Sequence, residues 1–331
     1  MKKQWRRRRA VLAGLGILFF TLAATPIRAD GWLVLPFANQ TGEVSLDWLG
    51  HGFAISMEEH LQAAGQTTVS HEKARGLLSE WKVPAGRSLT LASAIKAGEQ
   101  AGAQRVVTGL FRLKEGEVQV EVQILDPDEP ALREEVGEAA KLGDLFDLLR
   151  RLNRSILRAG ENGLPAQQAI RDSASPPPLT AYEQYVRALI QPHAEQRLQA
   201  LRQAAHAFPS YPILQYRLAE ELHVAGRNEE ALGSLERVAE TRFALSPEAR
   251  LLRAEILLER GDNEGAAKAA AAALDLRESY RGRLLRAEAL LARGATEEAR
   301  ADLERARTLG APTEDTEALA RRLGPPSPPG P

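Results

Sequence analysis

Four columns of small residues recur along the C-terminal half of the chain. Ala188, Ala219, Ala254 and Ala287 are 31, 35 and 33 residues apart, and Ala200, Ala231, Ala266 and Ala299 repeat the same three intervals. Gly226, Gly261 and Gly294 follow at 35 and 33. Asn228, Asn263 and Thr296 form a further column at 35 and 33. A period in the low thirties with paired small residues predicts stacked helical hairpins, each burying its apolar face against the next. Arrays of this kind bind other proteins and rarely catalyse.

The rest of the chain fits that constraint. At 331 residues it has room for two ordinary domains. Aromatic residues make up only 5%, so the 44% hydrophobic content must pack mainly through Leu, Ala and Val, which favours helices over a sandwich or barrel. The net charge of −1 hides an asymmetry. Residues 1–29 carry seven Lys or Arg and no acid, so residues 30–331 stand at −8, which argues against nonspecific nucleic-acid binding. The absence of cysteine removes disulfides, thiolate metal sites, cysteine nucleophiles and the acceptor for lipid attachment.

A basic segment ending at Arg9 precedes an apolar run from Ala10 to Ala24, broken only by Thr21. Pro26 follows, and Ile27-Arg28-Ala29 offers a cleavage point before Asp30. The run matches the apolar region of a signal peptide better than the roughly 20 residues of a membrane span. The alternative is an uncleaved inner-membrane anchor over residues 10–24. Both place the remainder outside the cytoplasm, in the periplasm or cell envelope.

Between that segment and the repeats, residues 31–171 read as a mixed α/β unit. Gly31 to Phe37 is a short strand, and a helix with Leu49, Phe53, Met57 and Leu61 on one stripe runs to Ala64, capped by Ser45 or Asp47. A strand is expected at 67–70, helices near 72–80 and 89–101, and a hairpin pairing 105–113 with 118–125. In that hairpin Val118, Val120, Val122 and Ile124 alternate with polar residues, the period of a half-buried sheet. Another short strand is expected at 132–136, then an amphipathic helix carrying Leu145, Leu148, Leu149, Leu152 and Ile156. Residues 172–179, with three consecutive prolines from Pro176, read as an extended, semi-rigid linker. Repeats and a capping helix fill 180–323, and the proline-rich tail 324–331 is expected to be disordered. The fold class is thus α+β: a small mixed α/β sandwich followed by an all-α solenoid of helical hairpins.

Two resemblances sharpen this. The string Leu33-Val34-Leu35-Pro36-Phe37-Ala38-Asn39-Gln40-Thr41-Gly42, then Asp47-Trp48-Leu49-Gly50 with Gly52, Gly102 to Gly109, Gly116 to Val120 and Asp144-Leu145-Phe146 occur in an order that resembles the TolB amino-terminal, CsgG and FlgO-like domain group. That resemblance covers about residues 31–158 and implies a noncatalytic envelope module. The repeats resemble tetratricopeptide repeats, with Leu218, Ala219, Leu222, Ala231 and Leu235 at the family's small and large positions. The first copy, about Ala181 to Pro212, departs most, with Gln191-Pro192-His193 in place of the turn Gly and with Tyr182 and Tyr185 marking a specialised starting hairpin. Asn228, Asn263 and Thr296 are each placed to cap a second helix, and the acids beside them favour its positive end. A last helix, Thr313 to Leu323, is bounded by Pro312 and Gly324 and closes the stack.

By the repeat resemblance, Glu220, Glu255 and Glu288 line a concave groove together with Tyr216, Leu251 and Leu284. Three carboxylates in one column would give a negative field and suit a basic or polar peptide; the alternative is that they are simply solvated helix glutamates. No catalytic constellation accompanies them. His71-Glu72 begins like a zinc-protease helix, but position 75 is Arg. Gly50-His51-Gly52 lacks the third Gly of a dinucleotide loop and suits close helix packing. His60 and His71 stand too isolated to be proposed as metal ligands, and Asp126, Asp128 and Glu129 read as an acidic turn. The expectation is a noncatalytic adaptor of the bacterial envelope with protein partners and no cofactor, metal or nucleic acid. The alternative is an accessory regulator of an envelope or cell-wall synthesis enzyme.

Overall fold

The computed structural model describes residues 31–84, 86–129, 133–159 and 176–324. The expected export segment, residues 172–175 of the expected linker and residues 325–331 of the expected tail lie outside them. β1 (Gly31–Val34), β2 (Ala38–Asn39), α1 (Asp47–Ala63), β3 (Thr67–Val69), α2 (His71–Glu80), α3 (Leu91–Ala101), β4 (Arg105–Lys114), β5 (Glu117–Leu125), β6 (Arg133–Lys141) and α4 (Leu145–Ala159) build the N-terminal α/β part. Its mixed sheet has the order β3-β1-β4-β5-β6, with β2 paired to β4. β1 runs parallel to β3 and β4, while β4, β5 and β6 form an antiparallel meander.

Alternation along the strands explains the layering. Trp32 and Val34 join Val118, Val120, Val122 and Ile124 under α1 and α4, whereas Leu33 and Leu35 pack with Ala74, Ala94 and Ala97 of α2 and α3 on the opposite face. Side-chain period two sends neighbouring residues of one strand into two different cores. β6 extends well past the expected strand because it pairs with β5 along its whole length, from Glu117↔Lys141 to Leu125↔Arg133. Its partners supply a ladder that its own polar sequence does not advertise. The expected caps of α1 are not used. Leu46 occupies the cap, and Asp47 instead accepts from the Asn39 side chain at 2.7 Å.

Among the described residues nine helices follow: α5 (Leu179–Leu189), α6 (Ala194–Ala207), α7 (Pro212–Val224), α8 (Asn228–Glu236), α9 (Ser246–Glu259), α10 (Asn263–Leu276), α11 (Tyr280–Ala292), α12 (Thr296–Thr308) and α13 (Thr313–Leu323). They form four hairpins and a closing helix. Ala188, Ala219, Ala254 and Ala287 are all buried, as are Ala231, Ala266 and Ala299. Gly226, Gly261 and Gly294 adopt φ of 71°, 78° and 80°, the left-handed conformation of a helix C-terminal cap.

The capping column needs correction. Asn228, Asn263 and Thr296 are the first helical residues, not the caps. The residue after each glycine already bonds back to the preceding helix, as in Arg227 N–H to Leu222 O at 2.8 Å and Asp262 N–H to Leu257 O at 2.9 Å. The same residue then starts the next helix. Of these three second helices only α10 has a side-chain cap, from Asp262 to the Gly265 amide at 2.9 Å.

Two halves joined by a hinge would have separate cores. Instead, one hydrophobic cluster runs from Phe53, Val120 and Leu148 of the α/β part through Tyr185, Leu201 and Tyr216 to Ile256 in the array. The contact is made by α1, whose two sides face the sheet and α5 at once.

Candidate functional site

The site is the seam between α1 and the first helices of the hairpins. Two glycines set the approach. A Cβ on Gly50 would stand 2.2 Å from the Phe37 carbonyl oxygen, and one on Gly52 would stand 3.3 Å from the Tyr182 ring. Gly50 therefore lets α1 sit down on the chain after β1, and Gly52 lets α5 sit down on α1. The expected packing role of this pair is met on two different surfaces. The Tyr182 hydroxyl donates to the Gly52 carbonyl at 2.6 Å, and the Tyr185 hydroxyl donates to Glu59.

Farther along, Arg217 of α7 stands 3.5 Å from Glu59 and donates to Glu220 at 2.8 Å. At the end of α1, Arg277 donates to the carbonyls of Gln62 and Ala63 at 2.8 and 3.0 Å and pairs with Glu248 of α9. A cation on the last carbonyls of a helix satisfies orphan acceptors and favours the negative pole of its dipole. Thus α1 is held at Gly52 and Glu59 by hairpin one, again at Glu59 by hairpin two and at its end by hairpin three.

A second strand of polar contacts flanks this line. Arg197 of α6 bridges Glu221 of α7 at 2.5 Å and Glu72 of α2 at 3.3 Å. Arg75 donates to the Leu189 carbonyl at 3.3 Å. Between these groups lies a cavity of about 120 Å³ bordered by Glu58, His71, Arg197, Arg217 and Glu220. His71 Nε2 meets His51 Nδ1 at 3.1 Å, so His71 is not isolated, and His60 Nδ1 lies 2.8 Å from the Ser56 carbonyl oxygen and 2.9 Å from Asn153 Nδ2. Among the described residues, no three His, Cys, Asp or Glu gather in a metal-holding group.

Burial shapes the charges here. It pushes the carboxyls of Glu58 and Glu59 up to about 7, against the opposing pull of Arg217. It also drives His51 down to about 4, helped by Arg75, and lowers His71, helped by His51, Arg75 and Arg217. The seam accordingly keeps its histidines neutral at neutral pH and holds its two adjacent carboxyls well above the usual carboxylate range.

On the other flank of Glu59, an apolar cleft of about 300 Å³ opens between α1, α4, α5 and the start of α7. Phe146, Tyr182, Tyr211, Ile213 and Phe243 form its walls, and Pro176 and Pro177 line one side. Its rings belong to a connected set. Tyr182 meets Trp48 at 6.0 Å, Phe146 at 5.5 Å and Tyr185 at 6.3 Å, and Tyr185 meets Tyr211 at 5.7 Å.

The six groove residues separate into two environments. Tyr216 is 5% exposed and donates to Glu220 at 2.6 Å, and Leu251 is 4% exposed, so both are core residues. Glu220 belongs to the seam, where α1 already covers the face it was expected to offer. Glu255 and Glu288 are partly exposed on later hairpins, with Leu284 packed beside Ala287 and Leu319. None of the three carboxylates is bare: Glu255 accepts from Arg281 at 2.6 Å and Glu288 from Arg322 at 3.2 Å, as Glu220 does from Arg217. The negative field expected of the column is neutralised residue by residue. Missing from the sequence-based site were Glu58, Glu59, His51, Tyr182, Tyr185 and Tyr211. One signal pointed to them: four of the chain's five tyrosines fall between positions 182 and 216, in a chain otherwise poor in aromatics.

No family model and no curated protein matches the chain. Solved structures similar to it include the LpoB C-terminal domain from Salmonella enterica, at 15% identity and a TM-score of 0.26 over 34% of this chain and 82% of that one. Lipoprotein GNA1162 from Neisseria meningitidis matches at 16% and 0.28, over 41% of this chain and 99% of that one. TolB from Acinetobacter baumannii matches at 18% and 0.28, over 45% of this chain and only 33% of that one.

Proposed function

We propose that this protein is an exported, noncatalytic adaptor of the bacterial cell envelope that holds a polar protein segment on the later hairpins of a tetratricopeptide-like array. The observation that carries this reading is the division of the array's face. α1 occupies the stretch presented by α5 and α7, while the Glu255–Arg281 and Glu288–Arg322 strip stays open to solvent. Paired charges in alternation suit a partner segment that is itself polar and mixed in charge, because each pair can re-form across an interface. Export rests on the basic and then apolar character of residues 1–29. Among the described residues no helix is long and apolar enough to cross a membrane.

The test is a photo-crosslinking amino acid placed in the full chain at Glu288 and, as a control, at Glu230 on a second helix. One discrete adduct from position 288 in cell-envelope fractions, lost when Glu255→Lys is added, supports the reading. Equal labelling from both positions, or none from Glu288, rejects it.

A further inference from the structure

The small cavity at the seam has a charge imbalance that the adaptor reading does not use. Arg197 is shared by Glu221 at 2.5 Å and Glu72 at 3.3 Å, and Arg217 by Glu220 at 2.8 Å and Glu59 at 3.5 Å. Among the described residues no cation forms an ion pair with Glu58. That carboxyl is 6% exposed and accepts from the Gln62 side chain at 3.1 Å and from the His71 amide. Arg75, the third cation nearby, donates to the Leu189 carbonyl. Five carboxyls at and beside the cavity thus share three guanidiniums. Protons make up the shortage, since burial raises Glu58 and Glu59 to about 7.

An independent observation lies at the same wall. His71 borders the cavity, is 9% exposed, and has no hydrogen-bond partner at Nδ1. Its Nε2 meets His51, which does not border the cavity. In the tautomer that donates from Nε2 to His51, Nδ1 carries a free lone pair, and burial keeps the ring neutral. An unpaired buried acceptor is costly unless something donates to it. The Arg217 Nε–H is also unpaired there, a donor that a water entering with a ligand satisfies.

A positively charged donor would satisfy Glu58 and His71 Nδ1 together. Among the described residues no three ligands gather for a metal ion. An ammonium, whose hydrogen bonds span about 2.7–2.9 Å, does not need such convergence. Ile55 and Leu189 offer apolar wall for a methylene stem. At roughly 30 Å³ per water-sized group, the cavity of about 120 Å³ holds about four heavy atoms. We infer that this cavity binds a primary ammonium group on a short alkyl stem, carried by a lysine of a partner protein or by a small free amine.

The experiment titrates the full chain by calorimetry with n-butylammonium and, separately, with an acetylated and amidated Gly-Lys-Gly peptide, at constant ionic strength. Tetramethylammonium, which has the charge but no N–H donor, is the control. Saturable binding of either amine and none of the control is expected, and the arm that binds identifies the source of the ammonium. Glu58→Gln matches the shape of the protonated side chain and should weaken binding about thirtyfold or more. Glu288→Gln, away from the cavity, should leave it unchanged. If Glu58→Gln disturbs the fold, the parent alone gives the answer. Its binding should strengthen about tenfold from pH 6 to pH 8 as Glu58 ionises, with His51 and His71 neutral throughout. Failure of both amines to bind overturns the inference, as does equally tight tetramethylammonium. So does binding unchanged in a folded Glu58→Gln variant, and so does parent binding that stays flat from pH 6 to pH 8.

Discussion

Hairpins one and two differ from hairpins three and four in what their side chains reach. The first pair brings Tyr182, Tyr185, Leu201, Tyr216 and Leu235 into a cluster continuous with the α/β core. Hairpin three is divided: Ala249, Leu252 and Ile256 of α9 still belong to that cluster, while beyond them stand small separate ones, one of Ala254, Ala269 and Ala270 and another of Ala266, Ala267 and Ala289, with Leu303, Leu319 and Leu323 closing the end. The backbone repeat is the same in both. Alanines allow close helix approach but bury little area each, so a hairpin built on them grips only its neighbour. Large aromatics at equivalent places extend past the neighbour and hold a second domain. Polar pairing takes up the difference at the far end, where buried Asp302 accepts from Arg283 and Arg286 at 2.6–2.7 Å.

The largest expected effect tests that division directly. Tyr185→Ala should cost about 3–5 kcal/mol, the range for deleting a large buried ring. It also removes the hydroxyl donor from Glu59, which is fully enclosed. Urea unfolding of the parent should be one transition through the shared core, and that of the variant should split in two as the array and the α/β part lose their common helix. A cost below about 1 kcal/mol, or a transition that stays single, would mean that the two hairpin pairs do not differ in the way their cores suggest.

How much of this was legible in the sequence follows from the range of each interaction. The hairpin array was readable because its determinants recur locally. Small residues at a fixed period and Gly226, Gly261 and Gly294 at helix ends need no knowledge of distant partners. The β4–β5 hairpin was readable from alternation and from Glu115-Gly116, whose positive φ values close a tight turn. The length of β6 was not, because residues such as Glu134, Glu135 and Glu138 gain their strand from β5 across the sheet. The seam was hidden for the same reason. Glu59 and Arg217 are 158 positions apart, and nothing near either marks it as buried. The notion of an open trough failed at its first two hairpins because a helix of this same chain lies there. Tyr182 and Tyr185 had marked the first hairpin as unusual without saying what they would touch.

A smaller effect, on pH dependence, sharpens the comparison at the seam. Glu58 and Glu59 are raised from 4.5 to about 7 in the fold, so their protonation stabilises it fully below about pH 4.5, and that contribution is lost as pH rises through about 7. His51 is lowered from 6.5 to about 4 and His71 is lowered from the same value, so their contribution is complete above pH 6.5 and is lost as pH falls below it. The two slopes oppose each other between pH 4.5 and 6.5. The parent should therefore show a nearly flat urea midpoint across that window. Glu58→Gln with Glu59→Gln removes one arm and should leave a midpoint that falls on acidification, by an amount on the order of 1–3 kcal/mol. His51→Asn with His71→Asn removes the other and should leave a midpoint that rises on acidification. Identical profiles for the parent and both variants would place these groups in solvent, contrary to their burial.

The smallest expected effect is at the far hairpins. Glu255→Ala and Glu288→Ala each break an ion pair whose two members are about a third to a half exposed. Exposed pairs contribute about 0–1 kcal/mol, because solvent screens them and long side chains lose freedom in forming them. Each variant should change the unfolding free energy by less than about 0.5 kcal/mol, unlike Glu59 or Tyr185, where the same chemistry is enclosed. If either costs more than about 2 kcal/mol, the far hairpins depend on buried charge in the way the seam does, and the contrast between the two regions collapses. If both are neutral, Glu255 and Glu288 can be changed without disturbing the fold. Any loss of partner contact in those variants then reports on recognition alone.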